Sequence, residues 1–323
     1  MKLSAAITIY AQKKRVAGCA FKQGERALMT FCRSMKDPPI SALTAQAIVD
    51  YLNSRHSCSI QSWRSKYSLL RHLFEHWAAR GAITPLHLPP LRTIVSRTFV
   101  PYIYSCSDIR QLLRMTNVSQ KKSQTLDGDT FRTLLLFLYA TGAYLGETIA
   151  LKRKDLNFKT KEVSLAGNGF SQNRCIPISH DLAMILRNYL RNRRGTKAAD
   201  SPLFTRKDGS SLVIGSVALM FAKLRTLAGI ARNDGAIYAP RMHDLRSTFA
   251  VHRITSWIKQ GQDLNRMMPA LSAYMGQLEL LSTERYLFLT PERFRRELNK
   301  LSPQKSKKKW RNNPVLMTFL SKL

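Results

Sequence analysis

The chain has 323 residues, enough for two domains that each bury a hydrophobic core. Its 52 Lys and Arg residues outnumber its 20 Asp and Glu residues, giving a formal net charge of +32 at pH 7. Such a charge destabilises a folded chain by self-repulsion unless a polyanion neutralises it, so nucleic acid is the expected partner. The alternative is an anionic membrane surface, but no apolar run reaches the roughly 18 residues that span a bilayer. The sequence also begins without a signal-peptide pattern, so we expect a cytoplasmic, nucleoid-associated protein with no membrane partner.

Cysteine usage gives no sign of a disulfide framework or a zinc site. The five cysteines are Cys19, Cys32, Cys58, Cys106 and Cys175. Their odd number and scattered positions, without any C-x-x-C pair, fit a reducing compartment. No group of residues has the pattern of a metal or organic cofactor site, and we therefore expect neither.

Helical spacing dominates the first third of the chain. Residues 1–20 are basic and weakly patterned, so we expect an arm or a first helical turn there. Apolar residues recur with helical period from Gly24, and Thr44 is placed to cap the helix that follows it. Gly81 is placed to end a further helix. The apolar stripe of that helix, expected in the core, is Trp63, Tyr67, Leu70, Leu73, Phe74 and Trp77. Basic residues on its outer faces, candidates for DNA contact, are Arg64, Lys66 and Arg71.

The first domain is predicted to be small, helical and basic. Residues 1–98 contain 15 Lys and Arg residues but only 4 Asp and Glu residues. The proline-rich sequence T-P-L-H-L-P-P at 84–90 predicts an extended linker, because proline and the residue before it disfavour helix. A second domain is therefore expected to begin near residue 99.

The second domain is predicted to combine helices with a short sheet. After Pro101, either Ser105 or Ser107 is placed to cap a helix. Runs of β-prone residues around Val163 and Ile176, joined through glycines, predict two strands. Further helical segments are expected at residues 181–193 and 217–227.

Three residues near the end of this domain form a recognisable pattern. His243 and Arg246 are three residues apart, so they share one face of a helix. Tyr286 follows Gly276 by ten positions on a second amphipathic segment. This arrangement resembles the carboxy-terminal signature of the tyrosine recombinases (phage integrase family). The resemblance implies that His243 and Arg246 bind a scissile DNA phosphate and that Tyr286 attacks it.

The resemblance also implies a fold and an assembly. The fold is mainly α with a small β-sheet. An all-helical, SAM-like core-binding domain at residues 1–98 precedes an α+β tyrosine-recombinase catalytic domain at residues 99–302. A basic spacer and an apolar tail follow at residues 303–323. The implied partners are double-stranded DNA and further protomers, from a dimer to a tetrameric synapse, together with related recombinases.

The catalytic pattern is incomplete in this sequence. The family's T-G-x-R-x-x-E turn is here T-G-A-Y-L-G-E, with Tyr144 in the arginine's position and Glu147 retained. Asn168 occupies the position of the hairpin lysine, and Gln277 that of the later histidine or tryptophan. Loss of the arginine removes positive charge from a transition state that needs it, so Tyr144→Arg is expected to raise cleavage. Weaker candidates for DNA contact in this domain are Arg174 and Arg241.

Three functions fit these residues. The first is a site-specific recombinase or integrase, a tyrosine-type DNA strand-transferase tied to a mobile element. The second is a catalytically weak or inactive DNA-binding subunit that works beside a related recombinase. The third is a basic architectural or regulatory DNA-binding protein without a defined core site. Retention of His243, Arg246 and Tyr286 together favours the first function, because a purely structural role does not need the nucleophile.

Overall fold

A computed structural model describes most of the chain in two compact units, residues 1–98 and residues 99–323. The described residues are 1–19, 21–54, 60–86, 88, 99–120, 125–167, 172–193, 198–236 and 238–290. Three predicted features therefore lie outside them in whole or in part: residues 87, 89 and 90 of the linker, the hairpin position Asn168 and the tail at residues 303–323.

Four α-helices are described in the first unit. They are α1 (Leu3–Val16), α2 (Lys22–Ser34), α3 (Ala45–Asn53) and α4 (Ile60–Ala78). All six residues of the apolar stripe predicted on α4 are buried. The Thr44 hydroxyl accepts a hydrogen bond from the Ala47 backbone N–H at 3.2 Å, which confirms the predicted N-cap. Gly81 lies beyond α4 with φ +68°, the left-handed geometry expected at a helix end.

The prediction for residues 1–20 was wrong, because α1 is a full helix of 14 residues rather than an arm or a single turn. Leu3, Ala6, Ile7 and Tyr10 recur at helical spacing and are all buried. Burial of this stripe in the core of the unit outweighs its weak amphipathic pattern. The carboxylate of Asp37 adds an anchor, accepting hydrogen bonds from the backbone and hydroxyl of residue 4, each at 2.8 Å.

Eight α-helices are described in the second unit. They are α5 (Cys106–Gln120), α6 (Gly128–Thr141), α7 (Leu145–Ala150), α8 (His180–Asn192), α9 (Ile214–Leu227), α10 (Asp244–Lys259), α11 (Leu264–Met275) and α12 (Leu280–Phe288). Helices α8 and α9 confirm the two later segments predicted from the sequence. The cap of α5 is Ser105 rather than Ser107, since the Asp108 backbone N–H donates to the Ser105 hydroxyl at 3.1 Å.

A three-stranded antiparallel sheet accompanies these helices. Its strands are β1 (Leu156–Asn157), β2 (Glu162–Leu165) and β3 (Arg174–Pro177), in the order β1-β2-β3. Val163 pairs with Ile176, so the two predicted β-prone runs form adjacent strands. Both side chains are buried, while alternate residues point away from the core. The short β1 was not predicted as a separate strand.

The second unit has a large core and a smaller cluster beside it. The large core surrounds α6, where Phe131 and Phe137 are fully buried. The smaller cluster joins α10 and α11, with Phe249, Ile254 and Met275 among its members. Mainly helical structure with a small sheet confirms the predicted fold class. Within the part of the chain that is described, no helix combines the length and apolarity needed to cross a bilayer.

Candidate active site

Several helix ends of the second unit converge on the guanidinium of Arg246. His243 directly precedes α10, and Arg246 lies in its first turn with only 2% of its surface exposed. Arg246 Nη1 donates to the carbonyl of Gly142, the residue that ends α6. Arg246 Nη2 donates at 2.9 Å to the carbonyl of Met275, the last residue of α11. Carbonyls at helix C-termini carry partial negative charge, so both stabilise the cation.

The charge of Arg246 has no carboxylate partner among the described residues. A buried cation without a counter-ion is costly and is retained where the charge is needed. Besides the two carbonyls, the guanidinium contacts the ring of Tyr144, whose centroid lies 3.9 Å from Arg246 Cζ. A guanidinium presents planar pairs of N–H donors that match a phosphate group. These surroundings suit Arg246 to bind an anion.

Tyr144 contacts both members of the predicted phosphate-binding pair. Its ring stacks on the imidazole of His243, with centroids 5.5 Å apart and an interplanar angle of 19°. The tyrosine directly precedes α7, and its backbone N–H donates to Glu147 Oε2 at 3.0 Å. The substituted position therefore lies inside the site rather than beside it.

Glu147 and Arg174 form a buried ion pair next to Tyr144. Arg174 Nη1 and Nη2 donate to the two carboxylate oxygens of Glu147 at 2.9 and 3.0 Å. The side chain of Glu147 has 0% of its surface exposed and that of Arg174 has 8%. Arg174 Nε also donates to the carbonyl of Tyr274 at 2.9 Å. The pair thus joins α7, the start of β3 and the last turn of α11.

Gly276 is required at the end of α11 for two reasons. Its φ is +68°, a conformation that residues with a Cβ rarely adopt. A Cβ added there would lie 2.7 Å from Arg174 Nη1. The glycine that identified the motif in the sequence therefore ends the helix and admits the Arg174 side chain.

The candidate nucleophile, Tyr286, lies on α12 and is half-buried. Its ring packs against the smaller cluster formed by α10 and α11. Burial raises its pKa above the usual value of 10.0, the charge of Arg246 lowers it, and the neighbouring Tyr144 raises it further. The phenol is therefore protonated at neutral pH, and its acidity is coupled to the buried arginine. Packing also links Tyr286 to the site, because its cluster includes Met275, whose carbonyl accepts from Arg246.

His243 is suited to accept a proton. Burial by its neighbours lowers its pKa below the usual value of 6.5, and the positive charges of Arg246 and Arg241 lower it further. Asp244 acts in the opposite direction but more weakly. With its pKa below 6.5 the ring is neutral at pH 7, and the residue is exposed, so the imidazole is accessible.

Gln277 connects α11 to the helix that carries Tyr286. Its side-chain oxygen accepts a hydrogen bond from the hydroxyl of Thr283, a fully buried residue of α12. Its backbone N–H donates to the Ser272 carbonyl at 3.0 Å. Because this oxygen already accepts a hydrogen bond, Gln277 would bind a ligand through its amide N–H donors.

The remaining candidates for DNA contact are Arg241 and Arg174 in the second unit and three residues in the first. Arg241 is 46% exposed, pairs with Asp244 at 3.0 Å and stacks on Phe99 at 3.9 Å. Arg174 is held by its ion pair, which favours a structural role, and its contact with DNA stays a prediction. The candidates in the first unit are Arg64, Lys66 and Arg71, all on α4. Of these, Arg71 is exposed and forms an ion pair with Glu75 at 2.6 Å.

Two features of the site were not predicted from the sequence. Arg174 was expected only as a weak DNA contact, whereas its side chain forms an ion pair with Glu147. A retained glutamate beside a lost arginine was the available signal, because a buried carboxylate needs another cation. The sequence also gave no indication that Tyr144 contacts both His243 and Arg246.

Comparisons with known proteins show the family of the chain. Residues 107–272 match the model of the Phage integrase family, which is more than half of the 323-residue chain. The chain belongs to the phage integrase family. One similar protein is the putative integrase/recombinase y4rB of Sinorhizobium fredii. The two sequences are 28% identical over 304 residues, an alignment that covers 92% of this chain and 96% of y4rB. Tyrosine recombinase XerC of Staphylococcus aureus is 24% identical over 266 residues, 81% of this chain and 82% of XerC.

Solved structures of two integrases share the fold of this phage integrase family member. A lambda integrase dimer bound to a COC′ core site has a TM-score of 0.59 and 17% identity, covering 87% of this chain and 96% of that one. The integrase of transposon Tn1549, in complex with circular intermediate DNA, has a TM-score of 0.61 and 17% identity. The match covers 87% of this chain and 94% of that one. At these identities the likeness shows the fold alone.

Proposed function

We propose that the protein is a site-specific DNA recombinase that breaks and rejoins DNA strands through a covalent bond between Tyr286 and a 3′-phosphate. The family supports DNA breakage and rejoining as the reaction class. The relatives named integrase/recombinase and tyrosine recombinase support recombination as the outcome. A link to a mobile element is part of the proposal, and the likeness to a transposon integrase supports it.

One observation carries the proposal: a buried arginine without a carboxylate partner lies beside a tyrosine on the neighbouring helix. Arg246 is 2% exposed and donates to the carbonyl of Met275, a member of the cluster against which Tyr286 packs. A phosphodiester supplies the negative charge that the described surroundings of Arg246 lack. The same guanidinium then stabilises the charge that accumulates on the phosphoryl oxygens in the transition state.

The proposed step is a transesterification. The Tyr286 oxygen forms a bond to the phosphorus, and the bond from phosphorus to the 5′-oxygen breaks. The phenol is protonated at neutral pH, so a base must take its proton, and the neutral imidazole of His243 is suited to that role. The 5′-oxygen gains a proton as its bond to phosphorus breaks and leaves as a hydroxyl, so the proton lost by Tyr286 and taken up by His243 is balanced by the one gained. Attack by a 5′-hydroxyl on the phosphotyrosine reverses the step, so rejoining needs no external energy source.

Double-stranded DNA is the proposed partner. The net charge of +32 supports an extensive contact with phosphates. Assembly of protomers on DNA is part of the proposal, and the lambda integrase structure, a dimer bound to a core site, supports it. A tetrameric synapse, related recombinases as partners and a nucleoid location stay predictions.

A second function is favoured by the substituted positions. Tyr144 carries no positive charge in the arginine's position, and Asn168, outside the described residues, replaces the lysine. A subunit that binds one DNA arm while a related recombinase does the chemistry would tolerate both changes. We rank it below the recombinase, because it does not require the nucleophile.

A nicked suicide DNA substrate tests the recombinase directly, because loss of a short fragment after cleavage traps the covalent adduct. The wild type is expected to form the adduct, and Tyr286→Phe is expected to form none while its DNA affinity stays within a few-fold. Tyr274→Phe is the matched control, since that hydroxyl donates only to the Pro177 carbonyl in the described structure. Specific binding without any adduct would favour the partner subunit.

A further inference from the structure

The side chain that replaces the family's arginine is packed against the two residues predicted to bind phosphate. The ring of Tyr144 lies 3.9 Å from Arg246 Cζ and stacks on His243 with a centroid distance of 5.5 Å. Its hydroxyl makes no hydrogen bond to any residue in the described ranges. Among the described residues, the contacts of the side chain in the site are therefore those of its ring.

We propose that Tyr144 is a positioning residue whose ring, rather than its hydroxyl, holds Arg246 and His243 in the geometry that binds the scissile phosphate. The phosphate-binding role of Arg246 and His243 rests on the proposed function, whereas their contacts with Tyr144 do not.

The carbonyls and the ring that contact Arg246 use different parts of its guanidinium. The carbonyls of Gly142 and Met275 accept hydrogen bonds from its N–H edge, and the ring of Tyr144 interacts with its cationic centre. Stacking on an aromatic ring stabilises a guanidinium without using any N–H donor. The donors that the two carbonyls leave unused are then available for phosphate oxygens. A ring thus orients the charge without competing with the substrate for it.

The backbone that carries the Tyr144 ring is held in place by a hydrogen bond and a buried ion pair. The Tyr144 backbone N–H donates to Glu147, and the buried ion pair of Glu147 with Arg174 fixes that carboxylate. Gly142, two residues before Tyr144, supplies one of the carbonyls that bind Arg246. The turn between α6 and α7 therefore contacts Arg246 through both backbone and ring.

This arrangement reverses the outcome expected from the sequence for Tyr144→Arg. A second guanidinium at this position would bring a like charge next to a buried cation that has no carboxylate partner in the described structure. It would also remove the ring from His243. We therefore expect Tyr144→Arg to lower cleavage rather than restore it.

Three variants at one position test the ring against the hydroxyl: Tyr144→Phe keeps the ring, Tyr144→Leu removes it and Tyr144→Arg replaces it with charge. The control is Tyr139→Leu, which removes a tyrosine whose hydroxyl bonds His252 and whose ring contacts the same histidine. The first readout is the single-turnover rate of adduct formation at saturating DNA, with DNA affinity measured separately. The second is the NMR titration of the His243 imidazole without DNA, assigned by its loss in His243→Gln.

We expect Tyr144→Phe to match the wild type in both readouts. Tyr144→Leu and Tyr144→Arg should slow adduct formation by about tenfold or more, with little change in DNA affinity. In Tyr144→Leu the pKa of His243 should rise towards its usual value, because the ring no longer buries it. Tyr139→Leu should leave that titration unchanged even if it lowers thermal stability.

Two results would overturn the proposal. One is a Tyr144→Leu protein with the wild-type His243 titration, since the ring would then have no effect on the pair. The other is a Tyr144→Phe protein as defective as Tyr144→Leu, since the hydroxyl would then be the active group. If the wild type forms no adduct, the recombinase function fails, whereas the titration still decides the role of the ring.

Discussion

At the scale of single residues, Arg246 shows a conflict between stability and function. It is 2% exposed, and in the described structure its charge is held by carbonyl dipoles and a ring instead of a carboxylate. Buried charges without a counter-ion usually lower stability. The position is therefore better suited to binding an anion than to holding the fold together.

Arg246→Met is predicted to separate these two effects. Methionine has a similar length, no charge and enough flexibility to fill the space. Adduct formation should fall by roughly a hundredfold or more, as for removal of a transition-state donor. The free energy of unfolding, measured with urea, should stay level or increase. A loss of several kcal/mol of stability would show instead that the buried cation contributes to the fold.

The lowered pKa of His243 predicts a pH dependence of stability. Burial and nearby positive charges lower the pKa of His243 below 6.5 in the folded protein. Between that value and about 6.5, the unfolded chain binds a proton that the folded chain excludes. Acidification through this window should therefore lower the free energy of unfolding, with no such contribution above about 6.5.

Urea unfolding across this pH window measures the effect. His243→Asn should flatten the decline at acidic pH. His76 in the first unit needs a parallel variant, His76→Asn, because burial lowers its pKa as well. A decline equally steep in both variants and in the wild type would contradict the assignment.

At the scale of elements, the site is built from helix termini held by one buried ion pair. The ends of α6 and α11 supply carbonyls to Arg246, and the start of α10 supplies Arg246 itself. The Glu147–Arg174 pair fixes the turn before α7 to β3 and α11. Changes at these termini should therefore affect the site even where they do not contact DNA.

Gly276 and Gly261 form a matched pair that tests this packing. Both have φ +68°, but an added Cβ meets Arg174 only at Gly276 and finds open space at Gly261. Alanine should cost about 1–2 kcal/mol at either position because of the backbone. Gly276→Ala should cost a further ~1–3 kcal/mol from overpacking and should slow adduct formation. Equal losses of unfolding free energy in both variants would show that the Arg174 side chain moves away from the added Cβ without lowering stability.

Local features of the fold could be predicted from the sequence. The apolar stripe on α4, the Thr44 cap and strands β2 and β3 follow from spacing and side-chain chemistry within a few residues. Helix α1 was missed because its short stripe becomes informative only when the rest of the core is present.

The candidate site was predictable only in part. Spacing predicted His243 and Arg246 on one helix, whereas His243 directly precedes the helix that carries Arg246; family resemblance pointed to Tyr286. The contacts of Arg246 with Gly142, more than a hundred residues away, depend on how the helices pack. The same is true of the Arg174–Glu147 pair, which joins a strand to a helix. Such long-range contacts leave no periodic pattern in the sequence.

At the scale of the whole molecule, the excess of positive charge predicts a steep salt dependence. With a net charge of +32, binding to a specific duplex should release many counterions. The slope of log affinity against log salt should correspond to on the order of six to ten phosphate contacts. Fluorescence anisotropy with a labelled duplex from low to moderate salt measures it. A slope equivalent to about one or two phosphates would mean a small local contact instead.

The central claim is that Tyr286 is the residue that bonds to DNA. The most direct measurement is mass spectrometry of a trypsin digest after the adduct has been trapped on a nicked suicide substrate. Trypsin cleaves after Arg285 and Arg293, so Tyr286 starts the peptide Y-L-F-L-T-P-E-R, whereas Tyr144 lies in a separate peptide that ends at Lys152. The nucleotide mass is expected on the Tyr286 peptide. A nucleotide on any other peptide, or no modified peptide when the substrate is specifically bound, would contradict the claim.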